Sequence, residues 1–217
     1  MSTTKQAARR LRNSSPWAAE RPTREALRRE KRDAVLRAAA LCFASKGFEA
    51  TTMDDVAGVL GVAKPTVYRQ FRDKAALISA CQERAAALFL GVLKEARGRG
   101  GSSFDQIRHY FSHHLLLMQN NEYGRMLRGV DQPDLYSDSS RPARKLREEV
   151  EEGIREVLRE GVQRGEFDAA LDPKLVALAL AATFNFVGRW YDARGTYTLD
   201  EIANQYLKLF LNGIRAP

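Results

Sequence analysis

The sequence predicts an all-α protein. From Pro22 onward apolar residues recur at three- and four-residue spacing between residues that start and stop helices, and no segment alternates with the period of two that a strand needs. At 217 residues and 44% hydrophobic, the chain can bury a real core without disulfides or metal.

Met1 to Pro22 is polar, rich in Ser, Thr and Arg and interrupted by Pro16 and Pro22, so it is expected to be a disordered basic arm with Trp17 as its one large apolar group. The first helix is expected from Thr23 to Lys46, with Val35, Ala39, Cys42 and Phe43 on one face and Gly47 as its stop. Thr52 can cap a short second helix, where Asp54 and Asp55 suit the positive end and Met53, Val56, Ala57 and Leu60 form the inward stripe. Gly61-Val62-Ala63 is a three-residue turn. A third helix then runs from Lys64 to Phe71 with Pro65 in its first turn, where a missing amide costs nothing. Asp73 caps a fourth helix reaching about Arg97, and the glycine-rich stretch from Arg97 to Ser103 is the clearest break in the chain. Five more helices are expected at 103–120, 122–130, 141–164, 173–194 and 199–213, separated in part by 131–140 and 165–172. No internal repeat is present.

The net charge of +8 is unevenly placed: residues 1–32 hold ten basic residues against three acidic ones, and the other 185 residues are almost neutral. A basic segment beside a neutral body fits a polyanion-binding arm, and equally a solvated tail without contacts. Cys42 and Cys81 fall inside apolar helices and read as structural thiols of a reducing cytosol. No run of about 18 apolar residues and no secretory signal is evident, so the reading is a cytoplasmic protein with no membrane contact.

Two helices joined by a tight turn containing glycine form a helix-turn-helix, whose second helix is placed to enter a major groove of double-stranded DNA. With Val67 and Phe71 inward, Lys64, Thr66, Tyr68, Arg69 and Gln70 remain at the tip or outer face and supply donors for base edges and phosphates. Thr52 and Lys64 stand near free helix amides, and Lys74 begins the fourth helix beside the groove.

The segment VLRAAALCFASKGFEATTMDDVAGVLGVAKPTVYRQFRDKAALI resembles the DNA-binding domain of the tetracycline-repressor (TetR) family through Phe43, Gly47, Thr51-Thr52, Val56-Ala57, Gly61-Val62, Thr66, Tyr68, Phe71, Lys74 and Leu77. Pro65 departs from the small residue more usual at that position, and the long basic arm is an extension that only some members carry. The resemblance implies that Thr66 and Lys64 face bases, that Tyr68 and Lys74 meet phosphates, and that Thr52 meets a phosphate at a helix start. Tyr68 could instead be core, and Arg69 and Arg72 solvated charges. The implied organisation is an arm at 1–22, a DNA-binding domain at 23–80 and a helical effector-binding and dimerisation domain at 81–217.

The resemblance further implies a homodimer built on the last two long helices, an inverted-repeat operator and a small-molecule effector. Leu175 to Tyr191 is apolar on nearly all sides, which independently demands contact on more than one face, and Ile202, Tyr206, Leu209 and Phe210 add a second stripe. The closing stretch from Trp190 to Ile214 is similar to that of members responding to acyl-coenzyme A thioesters, beside which other lipophilic ligands stay open. Phe111, His114, Met118, Phe184 and Trp190 are the expected cavity residues. His109 and His113 stand four apart without a nearby carboxylate or Cys on their face, so a metal is not expected, nor any cofactor. Glu148, Glu149, Glu151 and Glu152 read as a solvated face supported by i, i+4 pairs, with Lys145, Arg147 and Arg155 nearby. No nucleophile motif, phosphate loop or metal set suggests an enzyme. The alternative reading is an architectural DNA-binding protein without an effector, against which an internal cavity would count.

Overall fold

The computed structural model describes residues 23–128 and 140–215. The expected arm at 1–22 and most of the connection at 131–140 lie outside the described residues. Among those described there are nine α-helices and no strand, only an isolated antiparallel bridge between Phe167 and Arg215.

Helix α1 spans Arg24–Ala50, and residues 23–33 expose every side chain. Helical geometry breaks at Gly47 (φ 79°, ψ 169°), the predicted stop, but a final turn continues to Ala50 and ends where the Thr51 hydroxyl donates to the Gly47 carbonyl at 2.7 Å. Helix α2 spans Met53–Leu60, and α3 spans Lys64–Tyr68. Between them Gly61 adopts the left-handed conformation (φ 63°, ψ 32°), which a side chain disfavours, and its amide closes the end of α2. Helix α3 stops three residues before the predicted Phe71, because Asp73 must be extended (φ −158°) to accept the Ala76 amide at 2.7 Å and start α4, Lys74–Gly98.

The body follows: α5 is Ser103–Asn120, α6 is Glu122–Met126, α7 is Arg141–Gln163, α8 is Pro173–Trp190 and α9 is Leu199–Gly213. Helix α8 ends four residues before its predicted limit, since Tyr191 turns extended (ψ 125°) and an Asp192-Gly195 turn follows. Ser102, Asn121, Ser140, Asp172 and Thr198 each cap a helix through the side chain.

Two apolar clusters form the core. One joins Val35, Ala39, Phe43, Val56, Val67 and Phe71 of α1 to α3 with Leu77, Cys81 and Phe89 of α4, and the other joins Leu93 and Ala96 of α4 with Ile107, Phe111, Val157, Leu180 and Phe184 of the body. Helix α4 therefore belongs to both. It is also long and apolar enough, by length and composition, to cross a membrane. Its apolarity has another account: Leu77, Cys81, Ala85, Leu90 and Leu93 are buried against neighbouring helices. Cys42 and Cys81 are buried and unbridged, burial pushes both thiols up, and the Cys81 thiol lies 3.6 Å from the Leu36 carbonyl, as suits packing rather than redox chemistry.

Candidate functional site

The helix-turn-helix is held from within. Val67 (0% exposed) and Phe71 (3%) plug α3 into the core, so one face of this short helix is committed to packing and the other to solvent. Lys64, Pro65, Tyr68 and Arg69 are exposed and Thr66 is half-buried. Tyr68, at 43% exposure, is thus an outward residue and not part of the core. The Arg69 guanidinium donates to the Thr66 hydroxyl at 3.1 Å, which joins two candidate base-reading groups.

Charge on this face is already partly neutralised. Thr52 caps α2, accepting the Asp55 amide at 3.2 Å and donating its hydroxyl to the Asp55 carboxylate at 2.8 Å. The Lys46 ammonium pairs with Asp55, and with the Thr52 bonds this holds the carboxyl at about 2. Lys64 donates to Asp54 at 2.8 Å, which raises the lysine pKa, so a base or phosphate contact from Lys64 must displace that carboxylate. Lys74 donates to the Phe48 and Glu49 carbonyls at 2.9 and 3.0 Å and closes the end of α1, which leaves one ammonium hydrogen for a phosphate.

Inside the body lies a cavity of about 740 Å3 walled by α4, α5, α7 and α8. Phe111, His114 and Met118 are on its wall. Phe184 and Trp190 are not. Helix α8 has two faces: Leu180, Phe184 and Val187 are buried in the core, with the Phe184 ring 4.5 Å from that of Phe111, whereas Ala177, Leu178, Ala181, Ala182, Asn185, Phe186 and Arg189 line the cavity. Trp190, 44% exposed, is outside the lining.

His114 is the polar centre of this cavity. It is 7% exposed, its ring packs 4.7 Å from that of Phe89, and neither ring nitrogen makes a hydrogen bond of good geometry, the Asn185 amide being the polar side chain that interacts with it. Burial depresses its pKa to about 4, so it is a neutral imidazole offering one donor and one acceptor. Gln82, 3% exposed with an unpartnered Oε1, adds a second buried amide from α4. Arg128, Arg144, Arg147 and Arg189 also line the cavity and outnumber Glu148 and Glu151. Glu151 pairs with Arg155 at i, i+4 and Glu152 with the same arginine at i, i+3, but Glu148 and Glu151 also face the cavity. The sequence reading missed Gln82, Asn185 and the arginines. The available signal was a lone polar residue within an apolar helix.

His109 and His113 stack with ring centroids 3.9 Å apart, and the His113 Nδ1 contacts the His109 carbonyl at 2.8 Å. Among the described residues no group of three potential metal ligands occurs.

The chain matches the family described as "Bacterial regulatory proteins, tetR family" over residues 35–81, and the one described as "Tetracyclin repressor-like, C-terminal domain" over residues 100–214. The HTH-type transcriptional repressor KstR2 of Mycolicibacterium smegmatis is 26% identical over 195 residues, covering 85% of this chain and 90% of that protein. The fatty acid metabolism regulator protein of Bacillus subtilis is 24% identical over 194 residues, covering 86% and 97%. Among solved structures, the ketosteroid transcriptional regulator KstR2 of Mycobacterium tuberculosis superposes with a TM-score of 0.73 at 21% identity, covering 86% of this chain and 95% of that one. AibR in complex with isovaleryl coenzyme A and operator DNA superposes with a TM-score of 0.73 at 18% identity, covering 82% and 97%, a likeness of fold. With the C-terminal match alone spanning more than half of the sequence, the chain belongs to the TetR family of DNA-binding transcriptional regulators.

Proposed function

We propose that the protein is a repressor that binds an inverted-repeat operator as a homodimer and is released by a small lipophilic or acyl-type ligand held in the body. The carrying observation is the cavity at His114. A cavity of this size with a buried neutral imidazole on its wall is an expensive feature for a protein that only binds DNA, and a ligand carbonyl or hydroxyl could meet that imidazole. The names of the relatives, which speak of fatty acid metabolism and of a ketosteroid regulator, support the same ligand class.

The coupling element is α4. Its first residue, Lys74, braces the helix-turn-helix through α1, its middle residues Gln82, Ala86 and Phe89 wall the cavity, and Arg97 near its end is pinned to Glu156 and Glu160 of α7. A ligand pressing on the middle of α4 shifts the head relative to the pinned end, and for release it must prefer the geometry that DNA does not. The exposed Leu175 of α8 and Leu209 of α9, which lie outside the cavity lining, offer apolar contact for the second copy, which sets the spacing of two heads.

Thr66 and Lys64 are assigned to bases, and Tyr68, Lys74 and Thr52 to phosphates, with Pro65 and Arg69 at the edge of the contact. The test is an operator titration with fatty acids, acyl-coenzyme A thioesters and steroid acids, read by fluorescence anisotropy alongside sedimentation. Release by one class, with a dimer in both states, is the expected result. Ligand-indifferent binding by a monomer refutes the proposal.

A further inference from the structure

We propose that Arg125, Arg128 and Arg189 form a phosphate-binding groove continuous with the effector cavity, which takes the phosphorylated carrier end of a ligand whose lipophilic end lies inside; this rests on the effector reading above. A second recess of about 630 Å3 is lined by these three arginines, by Gly188 and by Leu41, Ala44 and Ser45 of α1. It shares Arg128 and Arg189 with the cavity, and among the described residues no acidic side chain lines it.

The lining of the cavity changes in character along α5 and α8. Phe111 packs against Phe184 at 4.5 Å, and seven residues further along α5, Met118 lies against Gly188 of α8, so these two levels are about 10 Å apart along α5 and about 6 Å apart along α8. Tyr110, Phe111, Ile154 and Ala177 make the first level apolar, and Arg128 and Arg189 mark the second. A ligand with one apolar and one anionic end therefore has a single favourable orientation, with the anion at the arginines and the polar middle beside His114.

The groove is built around Arg128. A Cβ at Gly188 would stand 2.8 Å from the Arg128 Cγ, so the missing side chain is what lets this arginine lie across α8. The Arg128 guanidinium donates to Gln119 at 2.7 Å, which fixes its aim, and the buried Arg125 Nε makes no hydrogen bond. Burial together with the Arg125 charge disfavours the protonated form of Arg128, a cost that an anion between them removes. One carboxylate satisfies one guanidinium fork. Three guanidiniums in a groove of this size call for two or more phosphoryl groups, as on a nucleotide carrier.

The experiment uses the full chain and four probes measured by calorimetry at two salt concentrations: palmitoyl-coenzyme A, palmitate, coenzyme A and inorganic pyrophosphate. The Arg125→Gln/Arg128→Gln double variant is compared with the parent, with thermal melting and ligand-free operator binding as controls of folding. The expected result is that the double variant loses about tenfold or more in affinity for palmitoyl-coenzyme A and several-fold less for palmitate, whose single carboxylate engages one guanidinium fork where the phosphorylated carrier engages more. Coenzyme A should bind the parent alone, more weakly and with strong salt dependence, and pyrophosphate binding alone would identify a free-phosphate source. Equal losses for both long-chain probes, or no loss for either, overturn the groove and leave the cavity standing. Coenzyme A binding that the double variant abolishes, with no palmitate binding, upholds the groove and removes the cavity reading. A double variant that fails to bind operator without ligand shows that these arginines serve DNA phosphates, and overturns the proposal.

Discussion

His114→Phe is the sharpest perturbation of the cavity. In the folded protein the imidazole stays neutral down to about pH 4, against an ordinary value of 6.5. Between those values the unfolded chain binds a proton that the folded chain refuses, so stability falls as pH falls through the window and is restored as pH rises. At about 1.4 kcal/mol per pH unit, the full cost is about 3 kcal/mol at pH 4 and about 2 kcal/mol at pH 5. Phenylalanine removes the titration and the unpartnered nitrogens, and the neighbouring cavity receives the larger ring, so at pH 7 the variant should be at least as stable as the parent. Carboxylates titrate in both proteins, and the difference between them isolates His114. Urea unfolding from pH 7 to pH 4.5 should show the gap widening by about 2 kcal/mol at pH 5, or about 4 to 8 °C in melting temperature for a chain of this size. Parallel declines would refute the assignment of a buried neutral imidazole.

The remaining predictions separate head from body. Thr66→Ala should relax sequence preference at one position of each half-site by about 1 to 3 kcal/mol, seen by binding to a panel of single-base operator variants; uniform weakening would contradict a base contact. Asp54→Asn frees Lys64 and removes a negative charge from the DNA-facing surface, so operator affinity measured by gel shift should rise. Removing residues 1–22 deletes five basic residues, and the slope of log K against log salt should shrink; an unchanged slope would make the arm a bystander. Phe184→Ala should destabilise by about 3 to 5 kcal/mol in a melt, because the ring is fully buried between Phe111 and Tyr206, with ligand affinity changing only through the loosened wall.

The helix-turn-helix was legible because local chemistry dictates it. Thr52 must cap α2, Gly61 must turn left-handed, Pro65 can stand only in a first turn, and the inward phase of Val67 and Phe71 follows once the turn is placed. The cavity was legible on α5, where a single amphipathic stripe through Phe111, His114 and Met118 leaves one inward direction. It was not legible on α8, which is apolar on nearly every side. Periodicity says that such a helix is covered all round, but not which neighbour covers which face, and the adjacent Phe184 and Phe186 end in the core and on the cavity side.

Gln82 shows why α4 resists a local reading. It follows Cys81 by one residue, and Cys81 belongs to the Leu77-Cys81-Ala85 stripe that binds α4 to the helix-turn-helix. A helix packed on one side only would leave Gln82 near solvent; because α4 is packed on two, the amide is buried to 3% exposure with its oxygen unpartnered. Adjacent residues of one helix therefore touch the helix-turn-helix domain and the cavity separately, through Cys81 at the Leu36 carbonyl and Gln82 at the cavity wall. A change at the wall then needs no long relay to reach the head, only a rotation of α4 about its axis or a tilt about the Arg97 pin.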